Sequence, residues 1–237
     1  HNKIQQCREW FAKDMSVDPE EIYFTSGATE SNNMIIQGRI QAFLNKDDKA
    51  MYTVISTAFE HPSVFNIMEY FRENPRLEMI LVKPNINNDN PTSGVVMASD
   101  VFNAIKSAKH QVILVSVMFA NNETGAIQDI SKIGKICRKR NIFFHSDATQ
   151  ALGKYIIRPK ELNADAISFS AHKFHGPKGI GGLFFDKEHH HIRNFCYGGE
   201  QEHLMRPGTE NVALIAGMTK ALEIAHINRK NKNKKLM

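Results

Sequence analysis

Apolar residues along this chain gather in short runs. Between the runs they return at every third or fourth position. Residues 21–25 (EIYFT), 51–57 (MYTVIST) and 77–82 (LEMILV) carry the β-rich composition of strands. Between them, residues 29–44 place Met34, Ile35, Ile40, Phe43 and Leu44 at near-helical spacing, and residues 61–71 form a second helical stretch with Pro62 in its first turn. The segment 84–94 is rich in Asn, Pro and Gly and reads as loop. A helix is predicted over 99–108 with Ser99 as its N-cap, and an amphipathic one over 129–140. The nearly unbroken apolar run 111–119 reads as a strand buried on both faces. Strands follow at 141–147, 166–170 and 181–185, and a long helix at 209–227. The N-terminal residues already look helical.

Strand and helix alternate many times, which implies a mostly parallel α/β sheet. Such sheets bind ligands in the loops at the carboxyl ends of their strands. The polar clusters that follow strands are therefore the places to look for chemistry.

Composition narrows the class. The 237 residues fit one large domain, or one domain plus part of another. Hydrophobic residues make up 42% and charged residues 23%, an ordinary globular balance. No apolar run approaches the ~18 residues of a membrane span, and the start, HNKIQQCREW, has no apolar signal core. Cys7, Cys137 and Cys196 are neither spaced for zinc nor even in number, so a reducing compartment is expected. The net charge of +5 owes much to the basic tail 228–237. That tail has no interleaved aromatics to stack bases, so a solvated helix end is expected and no nucleic-acid partner. Neighbouring histidines His189, His190 and His191 cannot all face one ion, and no metal site is expected there.

Five polar clusters remain. TSGATESNN (25–33) follows a strand and opens a helix. Backbone N–H groups of Ala28 and Thr29 there make either an anion cup or a plain helix start capped by Thr29 or Ser26. FANNETG (119–125) is a turn or a polar site at a strand end. In FFHSDATQALGK (143–154), Asp147 ends a strand. A buried carboxylate there needs a cationic or donor partner, such as a protonated pyridine nitrogen; an N-cap is the plainer alternative. In SFSAHKFHGPKG (168–179), Lys173 stands between His172 and Phe174. Partial desolvation there would lower its pKa and free the amine for imine formation, whereas a surface lysine is the simpler reading. GGEQEHLMRPGTEN (198–211) is an anion-binding loop around Arg206 or a structural loop before a helix.

Taken in order, SGATESNN, EHPSV, NNETG, HSDATQALGK, SFSAHKFHGPKGIGG and GGEQEHLMRPGTEN resemble the cysteine desulfurase family from about residue 17 to residue 225. These are class V aminotransferase-like, fold-type I enzymes that use pyridoxal 5'-phosphate (PLP). The resemblance implies an α/β fold, with a mostly parallel, seven-stranded-type sheet and helices on both faces. It implies a PLP-binding large domain over residues 1–227, followed by the basic tail. Lys173 matches the Schiff-base lysine, Asp147 the partner of the pyridine nitrogen, Gln150 the residue near the ring hydroxyl, and Asn122 a cofactor-contacting asparagine. His61 matches the histidine that stacks on the ring and moves protons. Ala28, Thr29, Ser170 and His172 match the phosphate cup, and Thr209 the threonine that reaches the phosphate of a neighbouring subunit, which implies a homodimer.

The implied reaction removes sulfur from L-cysteine, giving L-alanine and an enzyme persulfide. The persulfide sulfur would pass to an acceptor or scaffold protein for iron–sulfur cluster or thio-cofactor assembly. The expected location is cytoplasmic, or mitochondrial in a eukaryote. Thr149 and Gln150 tilt the resemblance from selenocysteine lyase towards desulfurase; a truncated, non-catalytic interaction module is the other alternative. In the family the persulfide cysteine lies well beyond the helix at 209–227. The expectation is therefore a chain truncated at both ends, without the C-terminal small domain, in which none of the three cysteines replaces that nucleophile.

Overall fold

The protein is described by a computed structural model, which covers residues 2–86, 93–188 and 190–235. Part of the loop expected at 84–94, and His189 of the histidine run, lie outside the described residues. In chain order the elements are α1 (Asn2–Met15), β1 (Ile22–Thr25), α2 (Ala28–Leu44), β2 (Tyr52–Thr57), α3 (Pro62–Arg72), β3 (Leu77–Val82) and α4 (Ala98–Ser107). They continue with β4 (Gln111–Ser116), α5 (Ile130–Arg138), β5 (Phe143–Asp147), α6 (Pro159–Leu162), β6 (Ala166–Ser170), β7 (Gly181–Phe185) and α7 (Val212–Lys235).

All seven strands form one sheet in the order β1-β7-β6-β5-β4-β2-β3. The neighbours from β6 through β3 run parallel. Only β7 is reversed, pairing antiparallel with both β6 and β1. The sheet is thus mostly parallel and seven-stranded, as the resemblance implies. Because β1 and β6 flank the reversed strand, both run the same way, and Thr25 and Ser170 both lie opposite Gly181. The start of α2 therefore meets the carboxyl ends of β2, β4, β5 and β6 along one edge.

The unbroken apolar runs follow from burial on both faces. Leu114 and Val115, Phe143 and Phe144, and Val54 and Ile55 are sequence neighbours that enter opposite cores. One core packs Met34, Ile35, Ile36 and Ile40 of α2 and Val64, Ile67 and Met68 of α3 on the sheet. The other packs Ile4, Cys7, Phe11 and Met15 of α1, with Ile133 and Cys137 of α5 and Ile215, Met218 and Leu222 of α7. Helices thus cover both faces. The α1 residues recur at intervals of three or four, which turns one stripe of that helix to the sheet.

Several element ends differ from the pattern-based expectation. β4 stops at Ser116, although Val117 N and Phe119 N still donate to His145 O and Asp147 O before the chain bends away. α4 is capped at Met97, not Ser99, and the Asp100 carboxylate accepts from Met97 N. α7 begins at Val212 rather than at 209, where Asn211 Oδ1 accepts from Leu214 N. It runs on to Lys235, so the basic segment from Asn228 continues the helix. The four-residue α6 shows no periodicity and escapes pattern reading.

Two buried ties hold α1 against the sheet. Phe11 of α1 is fully buried and stacks on Phe169 of β6 with ring centroids 5.5 Å apart. Arg8 forms a two-pronged ion pair with Glu202, at 2.9 and 2.7 Å, and also donates to Ile22 O. The same carboxylate accepts from Phe24 N at 2.7 Å. Glu202, His203 and Leu204 all have left-handed φ values of 48°, 54° and 67°. A run of three such non-glycine residues is strained, and the charge-assisted bonds to Glu202 hold it in place. Truncating Phe11 to Ala should destabilise the chain by about 3–5 kcal/mol through cavity formation. A urea-denaturation difference below about 1 kcal/mol would mean that α1 does not depend on this contact.

Candidate active site

Four strand ends and one helix start converge on a cavity of about 160 Å³. Ala28 and Thr29 come from the β1–α2 junction, His61 and Ser63 follow β2, and Met118, Ala120 and Asn122 follow β4. Asp147, Thr149 and Gln150 follow β5; Ser170, His172 and Lys173 follow β6. A wider groove of about 600 Å³ between α2 and α3 adjoins it and shares Thr29, His61 and Ser63. Every residue that the resemblance places in the site lines the cavity except Thr209. That residue is exposed and lines a separate hollow with Ser26, Gly179 and Arg206.

Asp147 is almost fully buried, and its two oxygens have separate donors. Oδ1 accepts from Thr149 N at 2.9 Å, and Oδ2 from Asn32 Nδ2 at 2.8 Å. The expected donor partner is thus Asn32, whose part was not read from the sequence. A signal was present: Asn32 lies four residues after Ala28 on α2, so the two share a helix face. His145, two residues before Asp147 on β5, bridges Ser116 Oγ (2.8 Å) and Ser168 Oγ (2.9 Å) across three strands. Burial lowers its pKa to about 4, against the opposing pull of Asp147, so the ring is neutral.

Bonded to the backbone of the cavity-lining Met118 is Glu60, another residue passed over in the sequence. Its Oε1 accepts from Thr57 Oγ1 (2.6 Å) and Met118 N (2.8 Å), while Oε2 is buried without a partner. Burial, with the repulsion of Asp147 added, raises its pKa to about 8 despite those hydrogen bonds. A proton on this carboxyl keeps a second negative charge away from Asp147.

The two asparagines of the NNETG cluster divide the roles left open by the sequence. Asn121 makes the turn: its Oδ1 accepts from Glu123 N and Thr124 N, both at 2.9 Å. Asn122 reaches the cavity. At the helix start the cap position is Gly27, rather than Thr29 or Ser26. Ala28 N donates to Ser170 Oγ at 2.7 Å, which ties the helix start to the end of β6. A Cβ on Gly181 would stand 2.6 Å from Gly27 Cα, so glycine there permits the approach.

Lys173 sits in a short 3-10 turn, residues Ala171–Phe174. Of the two readings open for Lys173, its exposure favours the surface one: Phe174 turns into the core while Lys173 stands exposed on the cavity. Phe174 also explains Gly153, whose φ is +86° and where a Cβ would come within 2.6 Å of Phe174 Cβ. His172 is held below the usual histidine value by partial burial and by the charges of Lys173 and Lys178. Gln150 Oε1 accepts from Lys154 Nζ at 3.0 Å.

The expected anion role of Arg206 is not visible within the chain. Its Nε pairs with Glu30 Oε1 at 2.8 Å, which favours the structural reading of that loop. Burial pushes the Glu30 carboxyl up, but hydrogen bonds from Arg206 and Ser26 outweigh it and hold the pKa below the usual value. Cys7 and Cys137 are buried, and Cys196 is exposed outside the cavity. No described helix is long and apolar enough to cross a membrane.

A parallel sheet whose strand ends offer a buried carboxylate, a lysine and a helix N-terminus to one cavity defines a class. The chain belongs to the aminotransferase class-V family, whose pattern matches residues 1–236. It is similar to the cysteine desulfurase IscS of Clostridium botulinum, at 40% identity over 234 residues, 98% of this chain and 55% of the relative. Two solved structures share the fold. A NifS-like protein matches with TM-score 0.84 and 36% identity, over 98% of this chain and 60% of its own. A structure described as SspA in complex with cysteine matches with TM-score 0.81 and 33% identity, over 94% and 60%. The chain spans about half the length of the curated relatives it matches.

Glu60 generates a signed pH dependence. Its folded pKa is raised, so its contribution to stability is fully present below the usual carboxyl value of 4.5 and is lost as pH rises to about 8. Glu60→Gln keeps an acceptor for Thr57 and Met118 but cannot ionise. The variant should therefore gain stability relative to the parent across that interval. Urea midpoints measured through the same range check this, and parallel curves for the two proteins would contradict it.

Proposed function

We propose that this chain is the PLP-binding large domain of a cysteine desulfurase that acts on L-cysteine. The observation carrying the reading is the placement of Asp147, Lys173 and the start of α2 around one cavity of about 160 Å³. The donor set fits the cofactor. A carboxylate suits a protonated pyridine nitrogen, a lysine suits an aldehyde, and backbone N–H groups with hydroxyls suit a phosphate. Thr149 lines the cavity, and its Oγ1 is buried without a hydrogen-bond partner, a polar group that such a ligand could satisfy.

In this reading Lys173 holds the cofactor and Asp147 pairs with its ring nitrogen. Gln150 and Asn122 contact the ring substituents, and His61 lies against the ring and handles protons. Ala28, Thr29, Ser170 and His172 take the phosphate. PLP bound there would supply the electron sink that amino-acid chemistry needs. Thr209, remote from the cavity of its own chain, would serve the phosphate of a partner subunit in a homodimer. Sulfur taken from cysteine would leave L-alanine and pass, through a cysteine outside these residues, to an acceptor or scaffold protein in the cytoplasm. The domain is taken as residues 1–227, with 228–237 as a basic extension.

Adding PLP to the protein should produce a visible absorbance band that Lys173→Ala abolishes. A band that survives the substitution would remove Lys173 from its role; no band at all would favour a non-catalytic interaction module. In a chain that also carries a persulfide-forming cysteine, incubation with L-cysteine should release L-alanine. Turnover of L-selenocysteine alone would make it a lyase for that substrate.

A further inference from the structure

His61 occupies the N-cap of α3, where its Nδ1 accepts from Ser63 N at 3.1 Å. Ser63 Oγ stands 2.8 Å from the same Nδ1. Asn32 Nδ2 lies 2.9 Å from Ser63 Oγ and 2.8 Å from Asp147 Oδ2. Four side chains from three segments therefore form one continuous chain of hydrogen bonds, from Asp147 through Asn32 and Ser63 to His61.

The direction of that chain is set at its buried end. Asn32 is fully buried, and a carboxylate oxygen accepts but does not donate. The amide must turn its nitrogen to Asp147, since its oxygen in that place would face a negative charge with no proton between them. This orientation leaves Asn32 Oδ1 buried without a partner, so the two Nδ2 bonds are what hold it. The second Nδ2 proton goes to Ser63 Oγ, and the hydroxyl's own proton is then directed at His61 Nδ1. Two donors, the Ser63 hydroxyl and the Ser63 backbone N–H, thus aim at that one ring nitrogen. A neutral imidazole has a single N–H, which must sit on Nε2.

We infer that Asn32 and Ser63 are positioning residues that hold neutral His61 in its Nε2–H tautomer, so that the ring offers the cavity a hydrogen-bond donor. The tautomer follows from this chain's own contacts; its bearing on desulfurase chemistry rests on the function proposed above. In that setting the ring gives a hydrogen bond to an acceptor atom of cofactor or substrate. It cannot take up a proton at Nε2 until that nitrogen has lost its own.

The test is a long-range 15N–1H correlation spectrum of the protein labelled in its 11 histidines, recorded without PLP at a pH where imidazoles are neutral. The His61 resonance is identified by its loss in His61→Gln. The parent protein should show a protonated Nε2 and an unprotonated Nδ1. Ser63→Ala and Asn32→Leu should each shift both nitrogens towards the averaged values of free histidine, while Ser63→Thr, which keeps the hydroxyl, should restore the parent pattern. Should Asn32→Leu fail to fold, the Ser63 pair decides alone. A protonated Nδ1 in the parent, or a Ser63→Ala spectrum identical to it, overturns the inference. The spectra need no cofactor, so a missing PLP band with the expected tautomer would sink only the desulfurase reading.

Discussion

A carboxylate placed almost out of reach of water must be met by donors, and Asp147 sets that demand for the whole site. Its two oxygens draw the backbone after β5 and the side chain of Asn32 from α2 to one point. Around it the other groups are arranged to leave its charge alone. Glu60 keeps a proton, pushed up to about 8 by burial, and His145 stays neutral between two serines. Asp147 thus lines the cavity between donors and neighbours that carry no competing charge.

The sheet supplies the geometry that lets these groups meet. Parallel strands place successive carboxyl ends along one edge, and the reversal of β7 returns β1 to the same direction as β6. The helix start at Ala28 is thereby tied to Ser170. Glycine is needed where backbones touch, at Gly181 against Gly27, and where Phe174 packs under Gly153. The second contact seats the turn that carries Lys173. Cavity chemistry and core packing are thus joined through one residue pair.

Much of this was legible in the chain. Buried parallel strands announce themselves as continuous apolar runs, and most strand spans agree with the structure within a residue or two. Helix ends were harder. Met97 takes the cap of α4 although Ser99 is the better capping residue, because the Asp100 carboxylate supplies the local bond. In the site, residues read from motifs line the cavity, while the residues that orient them were missed. Asn32, Ser63, Glu60 and His145 each also bond to a residue on another element, at Asp147, Asn32, Met118 and the pair Ser116 and Ser168, and those partners lie 23 or more positions away in sequence. The surroundings of Lys173 stayed open for a related reason: Phe174 beside it in sequence points the other way in space.

The ion pair of Arg8 with Glu202 joins residues 194 positions apart, and β1 pairs with β7 across nearly as long a stretch. Closing loops of that size carries an entropic cost before any contact is gained. On the ribosome, α1 and β1 emerge long before β7 and Glu202, the partners they need. Until then β1 presents an unpaired edge and α1 an uncovered apolar stripe. The order of synthesis thus runs against the order of assembly, and α1 and β1 are the parts that must wait.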